Sequence, residues 1–458
     1  MKILLVNPPS RSLYTRAEVK GAVPYNAPLT TAVLAAPLLK DGHEVAVFDF
    51  NLPGNSDAKF MKALDAKPDY VGITFNTPLF PEAKRLAKMA HDKGIKVLGG
   101  GPHASAIPVD TLKETDLDIV IVGEGDFTLP EIMKHDLKDV KGICYKDQGK
   151  IKCNPPRPYM KDLDVIPFPA WQLYDLSRYQ SPSLVCKKNP LGFFESSRGC
   201  VFECSYCNKC IFGRTFRSKS PRRAVDELKH MLKLGFKEIY FVDDGFSTQL
   251  ERSKEICRLI IKEKLKFPWQ LTNGIRVDRV DKELFTLLKK AGCYRVAFGI
   301  ESGNEEVMRD FGKHTKLEQV RQAVDWATKA GIETWGFFML ALPADTEETM
   351  QDTIDFAKSL NLTLAKYSIT TPYPGTKLFN DLDKKGLIKS KDWGKYNVYE
   401  PHEIYDHPQL SWPIINRYYK KAYREFYFRP GFFLKRAVHG LRHGTLLADM
   451  KSFLGTRW

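Results

Sequence analysis

The sequence lacks any apolar run long enough for a membrane span. Its longest apolar stretches, such as residues 31 to 39, fall well short of the roughly 20 residues a helix needs to cross a bilayer. The amino terminus enters a strand-like run at once, so no signal peptide is predicted. Cysteine is also scarce, with nine in 458 residues, which excludes a disulfide scaffold. With 43% hydrophobic and 27% charged residues, the composition predicts a folded protein of the cytoplasm.

Acidic residues are fewer than basic ones: there are 55 Asp and Glu and 70 Lys and Arg, which gives a net charge of +15. The excess is uneven. Residues 417 to 458, here called the basic tail, hold ten basic and two acidic residues, a net of +8, together with ten aromatic residues. The other 416 residues carry only +7. Nucleic acid is therefore not the expected partner, because no basic stripe runs along the main body.

Residues 1–130 alternate strand and helix patterns in the way a doubly wound sheet requires. Several predicted strands end in small-residue turns, including Gly99-Gly100-Gly101 and Gly123-Glu124-Gly125. Ligands bind at the carboxyl edge of open parallel sheets, where such turns lie. This region is therefore predicted to be a Rossmann-like domain that binds a nucleotide or cofactor.

Residues 131–190 are predicted to be a connector, with a hairpin at 142–152 and five prolines that keep the following chain extended. Residues 191–385 then repeat strand and helix patterns, which predicts a partial (β/α)6 barrel of the TIM type. The six strand candidates lie near Phe193, Ile239, Leu271, Val296, Phe337 and Ile369. Residues 386–458 are predicted to be a helical, basic and aromatic segment. The fold class is thus α/β, with chemistry expected at the carboxyl ends of the barrel strands.

A cysteine motif follows the first predicted barrel strand. Cys200, Cys204 and Cys207 have the spacing Cys-x3-Cys-x2-Cys. Three thiolates on one loop can hold three irons of a [4Fe-4S] cluster and leave the fourth iron open to a substrate. Cys210 would supply a fourth thiolate, so a structural zinc site remains an alternative on spacing alone.

With Tyr206 directly before the third cysteine, this loop resembles that of the radical S-adenosylmethionine (SAM) superfamily. In that family the open iron binds the amino and carboxylate groups of SAM, and one electron breaks a carbon-sulfur bond to give a 5′-deoxyadenosyl radical. Family landmarks follow at later strand ends: Asp243-Asp244-Gly245, Gly299 to Gly303, and Thr371 to Thr376. The resemblance implies SAM contacts from Tyr206, Asp243, Asp244, Asn273, Arg276, Glu301, Ser302, Leu342 and Tyr373.

The sequence departs from the family pattern between Met339 and Thr346, where relatives usually have glycines at 341 and 344 and this chain has alanines. The added methyl groups are expected to crowd the adenosine pocket. Cys210 is a second departure, and it makes the ligand set of the cluster a hypothesis.

A Rossmann-like domain in front of such a barrel resembles the cobalamin-binding class of the superfamily. The resemblance implies cobalamin contacts from Asn7, Pro8, Pro9, Asn51, Thr74, Gly99, Gly100, Gly101, Pro102, His103, Gly123 and Glu124. Many cobalamin domains carry Asp-x-His-x-x-Gly with a cobalt-ligating His, whereas Asp49 to Gly54 places Asn51 at that position. Cobalamin is therefore expected to bind without His ligation there. A purely structural Rossmann-like domain remains the alternative.

The implied function is a cobalamin-dependent radical SAM methyltransferase that acts on an unactivated carbon, or less often phosphorus, of a small or lipid-like substrate. A cyclase or rearrangement enzyme with the same cofactors is one alternative, and a zinc- or iron-sulfur-stabilised binding or electron-transfer protein is another. An external one-electron donor such as flavodoxin or ferredoxin is the implied partner.

The basic tail places Tyr419, Tyr423, Phe426 and Tyr427 at helical spacing. This pattern is typical of an aromatic stripe that closes the open barrel beneath a solvated charged face. A peripheral contact with the inner membrane surface through the same segment, or contact with RNA, are the alternatives.

Overall fold

Two parallel sheets, one after the other along the chain, form the framework of the protein. The structure is a computed structural model that describes residues 1–14, 25–398 and 402–433. The remainder of the predicted basic tail lies outside these residues. Among the described helices, none is long and apolar enough to cross a bilayer.

The first sheet has seven strands in the order β2-β1-β3-β4-β5-β6-β7. Five of them are parallel: β1 (Lys2–Asn7), β2 (Glu44–Asp49), β3 (Tyr70–Thr74), β4 (Lys96–Gly100) and β5 (Ile119–Ile121). Helices flank these strands: α1 (Leu29–Lys40), α2 (Asp57–Leu64), α3 (Phe80–His91), α4 (Pro102–Ala106), α5 (Pro108–Glu114) and α6 (Gly125–Ile132). The predicted doubly wound, Rossmann-like architecture is confirmed.

The hairpin predicted within the connector extends this sheet, as the antiparallel strands β6 (Ile143–Asp147) and β7 (Lys150–Cys153). Gln148 and Gly149 form its turn, both with positive φ. A disulfide joins Cys144 to Cys153 across the hairpin, and the other seven cysteines are free. This single bridge is consistent with the absence of a disulfide scaffold, and the sequence pattern did not indicate it.

The second sheet has six parallel strands in the order β15-β14-β13-β12-β11-β8 and is open between β15 and β8. Its strands are β8 (Leu191–Phe194), β11 (Glu238–Phe241), β12 (Trp269–Ile275), β13 (Cys293–Glu301), β14 (Glu333–Leu340) and β15 (Leu364–Ile369). A separate two-stranded ribbon follows β8, made of β9 (Ser197–Arg198) and β10 (Arg217–Ser218). The predicted partial barrel is confirmed.

Helices alternate with these strands: α7 (Pro221–Lys233), α8 (Leu250–Lys262), α9 (Lys282–Lys290), α10 (Glu305–Asp310), α11 (Leu317–Lys329), α12 (Glu347–Ser359), α13 (Lys377–Lys384) and α14 (Trp412–Tyr427). Their starts follow local rules. In α7, the Ser220 side chain accepts a hydrogen bond from the backbone N–H of Arg223, and Pro221 occupies the first turn. Leu228 and its helical neighbours bury one face of α7 against the sheet.

One continuous hydrophobic core passes through both sheets. At one contact, Trp171 packs edge-on against Phe236 of the barrel, with ring centroids 5.1 Å apart. At another, the ring of His103 lies 5.2 Å from that of Trp393. The carboxyl ends of both sets of parallel strands are therefore held in fixed positions relative to each other.

Helix α14 closes the open edge of the barrel at β15. The hydroxyl of Tyr423 donates to the carbonyl of Tyr367 (2.9 Å) and accepts from its N–H (3.2 Å). One helical turn later, the hydroxyl of Tyr427 makes the same pair of bonds with Ala365 (2.8 and 3.3 Å). Two tyrosine hydroxyls thus satisfy alternate backbone groups on the side of β15 that faces away from β14. For the described part of the basic tail, the interpretation as a barrel-closing stripe is confirmed.

Replacing Tyr423 or Tyr427 with Phe should lower the free energy of unfolding by about 1–3 kcal/mol each, because buried backbone groups of β15 lose their partners. Tyr418→Phe is the matched control, since its hydroxyl faces Glu347, a side chain that is 44% exposed. Urea unfolding should show a shift within about 0.5 kcal/mol for the control. Equal shifts in all three variants would contradict this role.

Candidate functional site

The cysteine loop leaves the barrel at the end of β8 and returns through the ribbon of β9 and β10. Gly199, directly before Cys200, has a φ of +79°, and a Cβ there would lie 2.3 Å from the carbonyl oxygen of Thr215. Only glycine allows the two ends of the loop to approach so closely. The loop therefore begins and ends at the same place, at the carboxyl end of the barrel.

Neighbouring strand ends hold this loop through backbone contacts. The Ser205 N–H donates to the carbonyl of Phe311 (2.9 Å), and the Leu378 N–H donates to the carbonyl of Ser205 (2.9 Å). The amide of Asn208 donates to the carbonyl of Pro374 (3.0 Å). Segments after β13 and β15 therefore fix the loop from two sides.

The three motif cysteines are free thiols, with Cys200 and Cys204 half-buried and Cys207 exposed. Burial raises the pKa of the Cys204 thiol, although Lys313 nearby opposes this effect. Metal binding displaces the proton of such a thiol and holds it as a thiolate. Three thiols on one loop are the ligand type that an iron-sulfur cluster takes.

The zinc alternative requires its four thiolates to converge on one ion. Among the described residues, no three His, Cys, Asp or Glu side chains do so. The Cys210 sulfur instead lies 3.9 Å from the carbonyl oxygen of Gly375. The Cys210 thiol is thus placed against the turn after β15.

The two aspartates after β11 differ in burial and in their hydrogen-bond partners. Asp243 is buried and accepts hydrogen bonds from the backbone of Ser196 (2.5 Å) and Ser197 (3.2 Å), and from the Ser196 hydroxyl. Asp244 is exposed and accepts from the N–H of Gly199 (2.9 Å). Asp243 is thus committed to positioning the start of the cysteine loop, whereas Asp244 lies open at the strand end.

Asn273 and Arg276, predicted at the end of β12, both reach the rim of the site. The exposed Asn273 amide bridges to β11 through the carbonyls of Val242 (3.2 Å) and Asp243 (3.0 Å). The Arg276 guanidinium lies 3.5 Å from the centre of the Phe202 ring in the cysteine loop and pairs with Asp278. Arg276 therefore supports the loop through a cation-π contact.

Glu301, at the end of β13, adopts a φ of +72° and its carboxylate lies 3.1 Å from the Lys313 ammonium. Burial and the neighbouring Glu301 carboxylate raise the pKa of the Tyr206 phenol. Glu301 thus stands against the cysteine loop. Ser302 turns away from it, because its hydroxyl contacts that of Thr353 in α12 (3.2 Å).

Ala341, where relatives usually have glycine, adopts a φ of +58° at the end of β14. The hydroxyl of Tyr405 donates to its carbonyl (3.3 Å), and the imidazole Nε2 of His407 bonds to the carbonyl of the buried Leu342 (2.8 Å). A left-handed alanine is strained, which explains the preference for glycine at this position. Ala341 and Glu301 put this strain on adjacent strand ends, where functional sites often store it.

Tyr373, after β15, donates its hydroxyl to the carbonyl of Tyr396 (3.0 Å). It lies in the turn next to Pro374, which holds Asn208 of the cysteine loop. The structure thus brings every predicted SAM residue to the carboxyl end of the barrel, and most of their polar side chains make the internal contacts described above.

A cavity of about 250 Å³ opens at the carboxyl edge of the first sheet. Seven of the residues predicted to bind cobalamin line it: Thr74, Gly99, Gly100, Gly101, Pro102, Gly123 and Glu124. Leucines supply much of its apolar lining: Leu5, Leu34, Leu98 and Leu129. The glycine turns leave backbone open to a ligand, and the leucines offer it an apolar contact surface.

The barrel contributes the opposite wall of this cavity. Glu195, Arg198, Ile211 and Phe212 line it, and all of them flank or belong to the cysteine loop. Sequence reasoning missed these four residues, because nothing in a linear motif indicates which loop of one domain will face the other. The cavity and the cysteine loop therefore share a wall.

The other predicted cobalamin residues lie outside this lining. The Asn7 amide donates to Asp49 (2.8 Å), and the Asn51 amide donates to the carbonyl of Pro8 (3.0 Å). These bonds, with the adjoining Pro9, tie together the loops after β1 and β2. Asn51 is thus occupied within its own loop pair.

His103 is fully buried and packs between aromatic rings, with Phe80 at 4.7 Å and Trp393 at 5.2 Å between centroids. Its Nδ1 lies 3.3 Å from the Thr77 hydroxyl. Burial lowers the pKa of His103 to about 4. The ring therefore belongs to the packing between the sheets, and it does not line the cavity.

Comparison with known proteins agrees with this geometry. Residues 194–357 match the family model of the Radical SAM superfamily, and residues 22–133 match that of the B12 binding domain. The chain is 34% identical to the uncharacterized methyltransferase PH0819 of Pyrococcus horikoshii, over 96% of this chain and 98% of that protein. The chain belongs to the radical SAM superfamily, in its cobalamin-binding class.

Two further relatives differ in reaction. The cytidylyl-2-hydroxyethylphosphonate methyltransferase of Streptomyces wedmorensis is 27% identical over 85% of this chain and 83% of that protein. The anaerobic magnesium-protoporphyrin IX monomethyl ester cyclase of Rubrivivax gelatinosus is 28% identical over 88% and 73%. The chain is thus a radical SAM enzyme with a [4Fe-4S] cluster, SAM and cobalamin as cofactors, and methyltransferases are prominent among its relatives.

The fold has a solved counterpart in OxsB, a cobalamin-dependent S-adenosylmethionine radical enzyme. The TM-score is 0.72 at 18% identity, over 99% of this chain and 72% of that one. This likeness concerns the fold, in which a cobalamin domain and a radical SAM barrel follow one another.

Single Ala variants of Cys200, Cys204 and Cys207 should lose the iron-sulfur absorbance after anaerobic reconstitution, because each removes one ligand of an iron. Cys210→Ala is the matched control and should retain it. Iron content and visible absorption give the measurement. Retention of the cluster without Cys204, or its loss without Cys210, would overturn the ligand set.

The buried His103 should make folding sensitive to acid. Its pKa is about 4 in the folded chain. An unfolded His titrates near 6.5, so the unfolded state takes up a proton first as the pH falls. Stability present above pH 6.5 is then lost between pH 6.5 and 4, by up to roughly 3 kcal/mol. Urea unfolding at pH 7.5 and 5 should show a smaller loss for His103→Phe than for the wild type, and equal losses would contradict this.

Proposed function

We propose that this enzyme transfers a methyl group to an unactivated carbon, or less often phosphorus, of a small or lipid-like substrate. The observation that carries the proposal is the shared wall of the cavity and the cysteine loop, formed by Arg198, Ile211 and Phe212. A methyl-carrying cofactor and a radical source must both reach one substrate, and a wall shared by their two predicted sites supports the proposal.

In this proposal, Cys200, Cys204 and Cys207 hold the cluster. Tyr206, Asp244, Asn273, Arg276, Glu301, Leu342 and Tyr373 surround the SAM site, with Asp243 and Ser302 supporting the loops behind it. When bound, cobalamin supplies the methyl group, and SAM on the cluster supplies a radical that abstracts hydrogen. The chain itself positions these groups and shields them, since the cofactors carry the difficult chemistry.

The glycine turns have a distinct task in the proposed cobalamin site. Gly101 has a φ of +104°, and a Cβ there would lie 2.4 Å from the carbonyl oxygen of Phe75. Gly99 is similarly crowded by Leu117, at 2.5 Å. Gly101 lets β4 end in a tight turn whose backbone borders the cavity, and Gly99 leaves room for the Leu117 side chain. Position 51 is an asparagine that bonds to Pro8, and the His103 ring packs outside the cavity. We therefore propose no imidazole ligand to cobalt.

A radical SAM enzyme needs one electron from an external donor. We assign this role to a flavodoxin or ferredoxin in the cytoplasm. The aromatic face of α14 gives a membrane contact no support, since Tyr423 and Tyr427 point to β15. A cyclase or rearrangement reaction with the same cofactors remains the second candidate, and the similarity to the Rubrivivax cyclase favours it.

Anaerobic incubation of the reconstituted enzyme with SAM and dithionite should yield 5′-deoxyadenosine. When hydroxocobalamin and candidate substrates are added, S-adenosylhomocysteine should also form, because methyl transfer consumes a second SAM. Liquid chromatography with mass detection measures both products, with Cys204→Ala as the control. Absence of 5′-deoxyadenosine would argue against radical chemistry, and 5′-deoxyadenosine without S-adenosylhomocysteine would favour the cyclase alternative.

A further inference from the structure

Five buried charged side chains lie between the cavity and the cysteine loop. They are two arginines from the barrel and three carboxylates, one of them from the barrel and two from the first domain. Their side chains are 3–13% exposed. The members of this ion cluster are Arg198, Arg217, Glu124, Asp126 and Glu195. Of these five residues, only Glu124 is expected from the sequence, as a cobalamin contact.

Arg198 is the centre of the ion cluster. Its guanidinium makes a two-pronged contact with Asp126, at 2.7 and 3.0 Å, and also donates to Glu124 at 3.0 Å. Its Nε donates to Glu195 at 2.6 Å. A planar guanidinium suits this geometry, because each of its edges meets a carboxylate.

Arg217 binds the same Glu124 from the other strand of the ribbon. One terminal nitrogen lies 2.9 and 2.8 Å from the two carboxylate oxygens, and the other donates to the carbonyl of Phe212 at 3.1 Å. Arg198 and Arg217 are register partners in the β9–β10 ribbon. The two arginines therefore clamp the two ends of the loop that carries the three cysteines.

The carboxylate side of the ion cluster belongs to the proposed cobalamin site. Glu124 follows Gly123 directly after β5, and Asp126 lies in the first turn of α6. Both line the cavity, as do Arg198 and Glu195. A group that fills this cavity thus touches the same side chains that hold the base of the cysteine loop.

Burying five charges is costly unless each finds a partner, and removing one partner leaves an uncompensated charge. Such a network has few alternative arrangements and specifies position more than it adds stability. The interface between the two sheets already has an apolar core through Trp171 and Trp393. Packing of the two domains against each other therefore does not by itself explain why the ion cluster is there.

We propose that Arg198 and Arg217 are positioning residues that couple the cobalamin cavity to the order of the cysteine loop. Filling of the cavity restrains Glu124 and Asp126, and these carboxylates restrain both ends of the loop through the arginines. The inference rests on the proposed function for the identity of the group in the cavity, with hydroxocobalamin as the probe.

Hydrogen exchange of the full chain, with and without hydroxocobalamin, tests this coupling and requires no catalysis. In the wild type, the probe should slow exchange in residues 199–216 at least threefold. Arg198→Lys and Glu124→Gln should lose most of this protection, because neither side chain reproduces the two-pronged or double-arginine contact. Glu333→Gln is the matched control: it breaks the buried Arg295–Glu333 pair near the amino ends of the barrel strands and should retain the protection.

Bound cobalamin per chain and the melting temperature of each variant are measured in parallel, so that loss of folding is separated from loss of coupling. Arg217→Lys serves as a second variant if Arg198→Lys fails to fold. Variants that bind hydroxocobalamin and show wild-type protection of residues 199–216 would overturn the coupling while leaving the proposed function intact. A wild type that binds no hydroxocobalamin would overturn both.

Discussion

The carboxyl ends of the strands in the first sheet face those of the barrel, and the rest of the structure depends on this arrangement. Arg198 joins the two sets of strand ends. Parallel strands of the first sheet end in glycine turns, and parallel strands of the barrel end in the cysteine loop and its neighbours. The Arg198 guanidinium joins them through Asp126 and Glu124. Each charge of this network has a partner, so a shift of one edge against the other would leave buried charges unpaired.

Two strand ends of the barrel also have strained backbone. Glu301 and Ala341 hold left-handed backbone conformations at the ends of adjacent strands. The contacts of Lys313 with Glu301, and of Tyr405 with the carbonyl of Ala341, keep these conformations in place. Ala341 thus follows the backbone path usual for glycine, and crowding of the adenosine pocket by its methyl group stays a prediction.

Much of the fold could be predicted from the sequence, because apolar periodicity and turn residues act locally. The strands near Phe193 and Ile369 follow from such patterns, as does the hairpin at Gln148. Long-range pairings could not be predicted this way. The contact of Arg217 with Glu124 spans 93 residues, and neither residue lies in a motif that indicates the other. For the same reason, the sequence placed His103 at a cofactor turn without indicating that its ring packs against Trp393.

We propose that a cluster on the cysteine loop and a corrinoid in the neighbouring cavity face each other in one enzyme. A crystal structure of the anaerobically reconstituted protein with hydroxocobalamin is the decisive experiment. We expect a [4Fe-4S] cluster on Cys200, Cys204 and Cys207 with one iron free of protein ligands, and a corrin between the Gly99–Gly101 turn and Phe212. A single zinc ion held by four thiolates including Cys210, or a corrin bound away from this cavity, would contradict it.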